Sequence, residues 1–373
     1  MSRMIIFFWQ NCISPHQVPY IRHVAKDCRV EKVYLIAPRV DYDERKNMGW
    51  NSELLTKETE IEVHICPDVE QIDKWMQQNI AHTVHLFSGI RGDYEVFCYF
   101  LQSLKYPLKR GFIIEPPYTY NKPLWAHYVR FFLQDRKFIR DFDYVFAIGT
   151  DAVAYYRKWS KHWKVVPFVY CTEQPCLLPE LAPRRTSEIL ALTFVGHLCR
   201  RKNVKVVLKA LGRLPAHIRV SFDIYGDGEQ RASLEKIAQR MPSHVKVVFH
   251  GKVPMKEVCS AIQRHDILLL PSLYDGWGAV VNEALMCGLY VICSSRCGAN
   301  LLLSTVDNGR IFQNNDSHDL QRIICDCYEN RENIRQNRMV RHQWSQCIEG
   351  ATVARYMVDN LKTSEPLVQP WSK

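Results

Sequence analysis

The stretch Pro271–Gly288 reads Pro-Ser-Leu-Tyr-Asp-Gly-Trp-Gly-Ala-Val-Val-Asn-Glu-Ala-Leu-Met-Cys-Gly. Ahead of it, Ile267-Leu268-Leu269-Leu270 is a short aliphatic run bounded by turn residues, the pattern of a buried parallel strand. Behind it, residues 279–287 predict a helix carrying apolar Val280, Val281, Ala284 and Leu285. Between the two lies Asp275-Gly276-Trp277-Gly278. A glycine-rich loop joining a parallel strand to a helix start offers bare backbone N–H groups and the positive end of a helix dipole, and so suits an anion. Glu283 falls one turn into the helix, eight residues after Asp275. Two carboxylates able to accept from sugar hydroxyls therefore flank a phosphate-sized cradle.

A second motif lies upstream, Phe194-Val195-Gly196-His197-Leu198-Cys199-Arg200-Arg201-Lys202-Asn203. A strand ends at Gly196, and a short loop delivers two arginines and a lysine to a helix start. Arg grips phosphate oxygens in a bidentate fork and Lys supplies a point charge. Cations here oppose the helix dipole, so a compensating anion is expected. A solvated basic turn is the alternative.

Together these blocks resemble the retaining GT-B glycosyltransferases of the family 4 type. The Glu-x7-Glu signature of that family is here Asp-x7-Glu, Asp275 to Glu283. The resemblance implies that Asp275 and the amides of Gly276, Trp277 and Gly278 hold donor sugar and phosphates, and that Glu283 holds the ribose. In the family's Gly-Arg-x4-Lys motif, Lys202 matches the lysine, six residues after Gly196. His197 stands where Arg is common, and Arg201 is placed to supply that charge. These residues, with Arg201, Lys202, Asp275 and Glu283 as the catalytic set, imply a nucleotide-diphosphate-sugar donor, UDP- or GDP-linked. The resemblance also implies retention of configuration, no cofactor and no metal. Val253, in His250-Gly251-Lys252-Val253-Pro254, falls where the family seats the base. Tyr225-Gly226-Asp227-Gly228-Glu229 is similar to a family turn and is fully explained as one.

The wider pattern agrees. Apolar runs alternate with helical periodicity through the chain, predicting α/β architecture with parallel sheets. Strands are expected at residues 4–9, 32–37, 61–65, 83–87, 111–114, 144–149 and 164–168, then at 189–195, 220–224, 245–249, 267–270 and 290–293. Helices are expected at 18–28 and 94–103, and starting near Asn203, Glu229, Met255 and Ala279. Residues 171–187, with Pro175, Pro179 and Pro183, read as a linker. The expected layout is an acceptor-binding Rossmann-like domain over 1–170 and a donor-binding one over 188–350. A helix and tail over 351–373 would pack back on the first domain. Two such halves facing a cleft make the GT-B fold. Cys297-Gly298-Ala299-Asn300 and Asn308-Gly309 read as turns near that cleft.

The acceptor side carries weaker signals. Ser14, His16 and Gln17 follow the first strand and either line an acceptor site or simply open a helix. His85 and Glu115 belong to later strands. His85 is either an acceptor contact or a core histidine, and Glu115 precedes Pro116-Pro117 at a strand end. Residues 120–163 mix aromatics with bases, nine Lys/Arg against four Asp/Glu over 121–164. That composition suits a membrane headgroup layer, or else a core with a solvated basic face.

Composition bounds the rest. The 373 residues are 47% hydrophobic, enough for two cores. Charge is uneven, 23 Lys+Arg against 21 Asp+Glu in residues 1–180 and 26 against 18 beyond. The basic second half suits an anionic ligand. No nucleic-acid module is recognisable, no apolar run approaches membrane-span length, and no secretory leader pattern opens the chain. Fourteen scattered cysteines fit free thiols in a reducing cytosol. The expected acceptor is a glycan or lipid-linked oligosaccharide in surface polysaccharide or lipopolysaccharide assembly, with contact at the cytoplasmic face of a membrane. An epimerase of the same fold, or a binding module without turnover, are the alternatives.

Overall fold

A computed structural model describes residues 3–42, 59–89, 91–118, 123–159, 161–172, 187–303 and 307–372. The linker expected over 171–187 lies almost wholly outside the described residues. By contact density the chain forms two compact units, residues 1–173 with 348–370, and residues 174–347 with 371–373.

The first unit holds seven strands: β1 (Met4–Trp9), β2 (Val30–Ala37), β3 (Glu62–Ile65), β4 (Thr83–Ser88), β5 (Lys109–Ile114), β6 (Tyr144–Ile148) and β7 (Lys164–Phe168). All pair parallel, in the order β3-β2-β1-β4-β5-β6-β7. Helices α1 (Val18–Ala25), α2 (Val69–Gln77), α3 (Tyr94–Ser103), α4 (Leu124–Arg130) and α5 (Thr150–Tyr156) connect them. Asp68 and Asp93 cap α2 and α3, their carboxylates accepting from Gln71 N–H and from Glu95 and Val96 N–H. β1 is apolar without alternation because both sheet faces are covered, and Ile5 through Trp9 are buried.

The core of this unit is aromatic. Phe7 stacks on Tyr34 at 4.4 Å and on His85 at 4.5 Å. His85 lies inside β4, fully buried, with Nδ1 accepting from Trp9 Nε1–H at 3.1 Å. It is a core residue and does not line the first-unit cavity described below, so of the two readings left open by the sequence the structure favours the core histidine. Burial, and then the nearby Arg110 charge, push its pKa down to about 3. The unfolded chain takes this proton below ~6.5 while the folded protein takes it only near 3, so stability falls as pH drops through that window. The expected result for His85→Phe is a flatter Tm-against-pH curve below pH ~6.5. An unchanged slope in matched melts would contradict this.

The second unit holds β8 (Ile189–Val195), β9 (Arg219–Tyr225), β10 (Val245–Gly251), β11 (Ile267–Leu270), β12 (Tyr290–Ser294) and β13 (Gly309–Phe312). They are parallel in the order β10-β9-β8-β11-β12-β13. Helices α6 (Val204–Leu211), α7 (Arg231–Ala238), α8 (Val258–Ile262), α9 (Val280–Met286), α10 (Ser317–Glu329), α11 (Arg331–Gln336) and α12 (Arg338–Trp344) cover the faces. Leu190, Leu192, Phe194, Val207 and Phe222 form the centre of an aliphatic core. β13 is a strand that the sequence reading did not expect; Asn308 lies in the turn expected there, and Gly309 opens the strand. Only Phe312 of its four residues is buried, so it carries no periodic signal. What makes it a strand is close packing, since a Cβ on Gly309 would lie 2.0 Å from Val291 O.

The last helix, α13 (Gly350–Lys362), belongs to the first unit. Its first residue sits against α1, where a Cβ on Gly350 would come within 2.7 Å of Pro19 O. Arg29 joins Asp27 at 2.6 Å and Asp359 at 2.5 Å, and Lys164 Nζ donates to Asn360 O at 2.5 Å. Among the described residues, thirteen cysteines are all free thiols. No described helix is long and apolar enough to cross a membrane.

Candidate functional site

Each sheet reverses its strand order once, between β1 and β4 and between β8 and β11. At such a switch point the connections leave the carboxyl ends in opposite directions and open a crevice, where open α/β sheets bind ligands. The sequence motifs of the second unit fall on the two strands that flank its switch point.

After β8, the chain turns at Gly196 and runs through a tight helical turn, Arg200–Lys202, to Asn203, whose φ of 53° is left-handed. The neighbouring β9 turn braces this loop. Gly196 N–H donates to Tyr225 O and Leu198 N–H to Asp227 O, each at 2.9 Å. A Cβ on Gly226 would lie 1.9 Å from Gly196 O, so only glycine lets the two loops meet. After β11, Leu273 N–H donates to Arg201 O at 2.8 Å. Arg201 Nη1 donates to Tyr274 O at 3.0 Å and stands 3.8 Å from Asp275 Oδ2. Lys202 Nζ donates to the same Asp275 Oδ2 at 2.5 Å, and Ser272 Oγ–H at 3.4 Å. The two motifs thus close into one site across 73 residues of sequence.

The loop after β12 completes it. Asp275 N–H donates to Arg296 O at 3.1 Å, Gly298 N–H to Asp275 O at 3.0 Å, and Ala299 N–H to Trp277 O at 2.9 Å. Trp277 is buried, and its Nε1–H donates to Asn282 Oδ1 at 2.8 Å, pinning the loop to α9. Trp277 therefore anchors the loop through its side chain. The N–H groups of Gly276 and Gly278 donate to no acceptor among the described residues. Gly278 has φ 98°, a conformation that favours glycine. Two amides without an acceptor, in the loop that follows the Lys202 partner Asp275, suit an anion. A Cβ on Gly298 would lie 2.1 Å from Gly276 O. Gly298→Ala is expected to push this loop away from the cradle and to weaken nucleoside-diphosphate binding ~10-fold or more while leaving a folded protein. Calorimetric titration that finds wild-type affinity would overturn this.

The two acids behave oppositely. Burial raises the Asp275 pKa, but the charge and hydrogen bond of Lys202, with Arg201 and Ser272, outweigh it and hold the carboxyl below its usual range. Glu283 has no such partner among the described residues. Burial, and then the Cys259 thiol, push its pKa well above the ordinary glutamate range. A half-buried carboxyl without a cation among the described residues suits a ligand-binding role. His197 is at the rim, its Nε2 3.4 Å from Glu229 Oε2. Val253 is half-buried in the loop after β10.

The first unit carries a cavity of about 490 Å³ at its own switch point. Ser14, His16 and Gln17 line it from the loop after β1, and Glu115 from the end of β5. These four expected residues come together there, without His85. Ser88 lines the same cavity with a buried Oγ that has no hydrogen-bond partner among the described residues. Further wall residues escaped the sequence reading. Arg91 Nε donates to Asp135 Oδ1 at 2.6 Å, His127 Nε2 lies 2.9 Å from Tyr118 O, and Tyr156 Oη–H donates to Glu115 O at 3.4 Å. For His127 and Phe131 the signal is their i, i+4 spacing inside the aromatic-basic stretch, which composition alone left ambiguous; Arg91 and Tyr156 carry no such signal.

Comparison with known proteins bears on the second unit. Residues 184–343 match the family model of the glycosyl transferases group 1. The matched stretch lies within the second unit, which is similar to that family over nearly its whole length. The match spans the Lys202 and Asp275–Glu283 motifs. The gpi3 subunit of phosphatidylinositol N-acetylglucosaminyltransferase from Schizosaccharomyces pombe is 31% identical over 110 residues, 29% of this chain and 24% of that one. A 2-deoxystreptamine glucosyltransferase from Streptomyces kanamyceticus is 30% identical over 96 residues, 26% of this chain and 25% of that one. The chain thus spans well under two thirds of the curated relatives it matches, from 24% to 38% of the first four. Over the whole fold, the crystal structure of Anabaena HepE in complex with UDP aligns with TM-score 0.68 at 15% identity, covering 96% of this chain and 99% of that one. The apo lipopolysaccharide outer core galactosyltransferase WaaB aligns with TM-score 0.67 at 14% identity, covering 96% and 99%. At these identities the likenesses show the fold, which is GT-B.

Proposed function

We propose that this protein is a retaining, metal-independent glycosyltransferase of the family 4 type. It moves a sugar from a UDP- or GDP-sugar to a hydroxyl of a glycan or lipid-linked oligosaccharide in surface polysaccharide assembly, at the cytoplasmic face of a membrane. The observation that carries this reading is the Lys202–Asp275 pair and, in the loop that follows Asp275, the open amides of Gly276 and Gly278, at the switch point of the second sheet. HepE, solved with UDP and with UDP-glucose, and WaaB, a galactosyltransferase, support a nucleotide-sugar donor.

In this reading the bond between the anomeric carbon and the diphosphate oxygen breaks while the acceptor oxygen bonds to that carbon. Lys202, Arg201 and the two glycine amides stabilise the charge that develops on the leaving diphosphate, in the manner of an oxyanion hole. Fixed cations do the work that a metal does elsewhere, and the leaving phosphate oxygen takes the acceptor proton. Glu283 receives the ribose hydroxyls. The cavity of the first unit, with Ser14, His16, Gln17 and Glu115, receives the acceptor.

The test is thermal stabilisation by UDP, GDP and ADP, followed by turnover of the matching sugar nucleotide. A nucleotide at 100 times its dissociation constant adds ~2.7 kcal/mol of stability. No shift with any nucleotide would overturn the donor site. Conversion of the sugar nucleotide without an acceptor would make the protein an epimerase, and binding without turnover would make it a binding module.

A further inference from the structure

The wall of the first-unit cavity is a two-faced segment. It runs through α4 and continues as one π-turn, Phe131–Asp135, and a 3-10 stretch, Arg136–Asp141. His127, Arg130, Phe131 and Asp135 line the cavity. The other face is apolar and open to solvent. Trp125, Val129, Phe132 and Leu133 are 67, 49, 58 and 75% exposed, at spacing i, i+4, i+7, i+8, and Leu124 adds a further 44%. That spacing puts the four on one stripe. Scattered single exposed apolar residues mean little, but a stripe of large ones, rimmed by charge, marks a contact surface.

The rim names the occupant. Residues 123–140 hold Arg130, Arg136, Lys137 and Arg140 against one acid, Asp135. Asp135 is turned inward and neutralised by Arg91 at 2.6 Å. Arg136 lies over the Phe132 ring at 4.7 Å, Lys137 over Phe138 at 4.9 Å and Lys158 over Tyr128 at 6.0 Å. Cations laid along aromatic stems, with the apolar tips beyond them, match the headgroup and acyl layers of an anionic bilayer. An apolar protein groove would leave these bases without counter-charges, whereas anionic lipid supplies them at every position.

We propose that residues 124–140 dock the first unit on an anionic lipid surface, with Trp125, Val129, Phe132 and Leu133 entering the acyl boundary and Arg136, Lys137 and Arg140 meeting the headgroups. Because the opposite face of this segment is a wall of the cavity, docking brings the cavity to the lipid. An acceptor with a hydroxylated head and a lipid tail then reaches it without leaving the bilayer. Only this last step rests on the reading of the cavity as an acceptor site.

The test is co-sedimentation of the full chain with phosphatidylcholine vesicles, with and without phosphatidylglycerol. UDP and GDP binding is measured on the same samples. Wild type is expected to partition onto the anionic vesicles ~10-fold or more above the neutral ones. Trp125→Asp with Leu133→Asp, and separately Arg136→Glu with Lys137→Glu, are expected to remove at least ~10-fold of that partition. All four side chains are exposed, so the melting temperature and nucleotide binding should stay unchanged. Equal partition of wild type onto both vesicle types, or wild-type partition by either double variant, overturns the proposal. So does a concentration-dependent dimer that the Trp125/Leu133 variant abolishes, because the stripe would then be a self-contact. Loss of nucleotide binding in wild type with docking intact would instead overturn the donor site.

Discussion

Lys202→Ala lowers turnover by ~10²–10³ or more, with donor binding weakened far less, because the charge it meets is largest on the departing diphosphate. The ammonium lies at the switch point with Asp275 Oδ2 2.5 Å away, and both side chains are about one-seventh exposed. This geometry holds the cation ready in the free protein, so little reorganisation is needed when a diphosphate arrives. The pair also has a structural side. Removing Lys202 leaves Asp275 with the more distant Arg201 at 3.8 Å and the Ser272 hydroxyl at 3.4 Å, and a poorly compensated carboxylate destabilises. Lys202→Ala with Asp275→Asn separates the two roles. The double variant should recover the melting temperature of wild type and stay inactive. Turnover of Lys202→Ala within a few-fold of wild type would sink the assignment of this site.

Glu283→Gln is expected to make the protein more stable and less able to bind donor. The folded-state pKa of Glu283 is raised by burial, so between the unfolded value near 4.5 and the raised one the folded protein keeps a proton that the unfolded chain has released. Stability therefore falls as pH rises through that range, and glutamine removes the fall. The variant should melt alongside wild type near pH 4.5 and above it at pH 8, by ~2–4 °C if the gain is ~1 kcal/mol. Donor affinity should drop ~5- to 10-fold, the usual scale for losing a hydrogen bond between neutral groups. A half-buried carboxyl with no cation is a cost that binding a ligand offsets. Equal melting temperatures at both pH values, with unaltered donor affinity, would show that Glu283 is only a packed residue.

The site was legible in part because glycine and charge are local signals. Gly196, Gly276 and Gly278 mark backbone turns at strand ends, and Arg201, Lys202, Asp275 and Glu283 carry the charges such a site uses. The strands of both sheets fall within about two residues of their predicted positions, since an apolar run bounded by turn residues needs no tertiary information. Where neighbouring sequence held no such signal, the reading failed. β13 has one buried residue, and His85 looks alike whether it meets a ligand or Phe7 and Trp9.

By itself, the amino-acid sequence determined the doubly wound α/β architecture and the chemical character of the donor motifs, because period and residue type act within a few residues. Tertiary structure alone decided which charges meet. It set Lys202 on Asp275 across 73 residues and left Glu283 without a cation. It turned His85 into the core and joined Ser14, Glu115, His127 and Asp135 around one cavity. Each of these depends on strand order, and strand order brings together on neighbouring central strands residues whose separation along the chain carries no record of their contact.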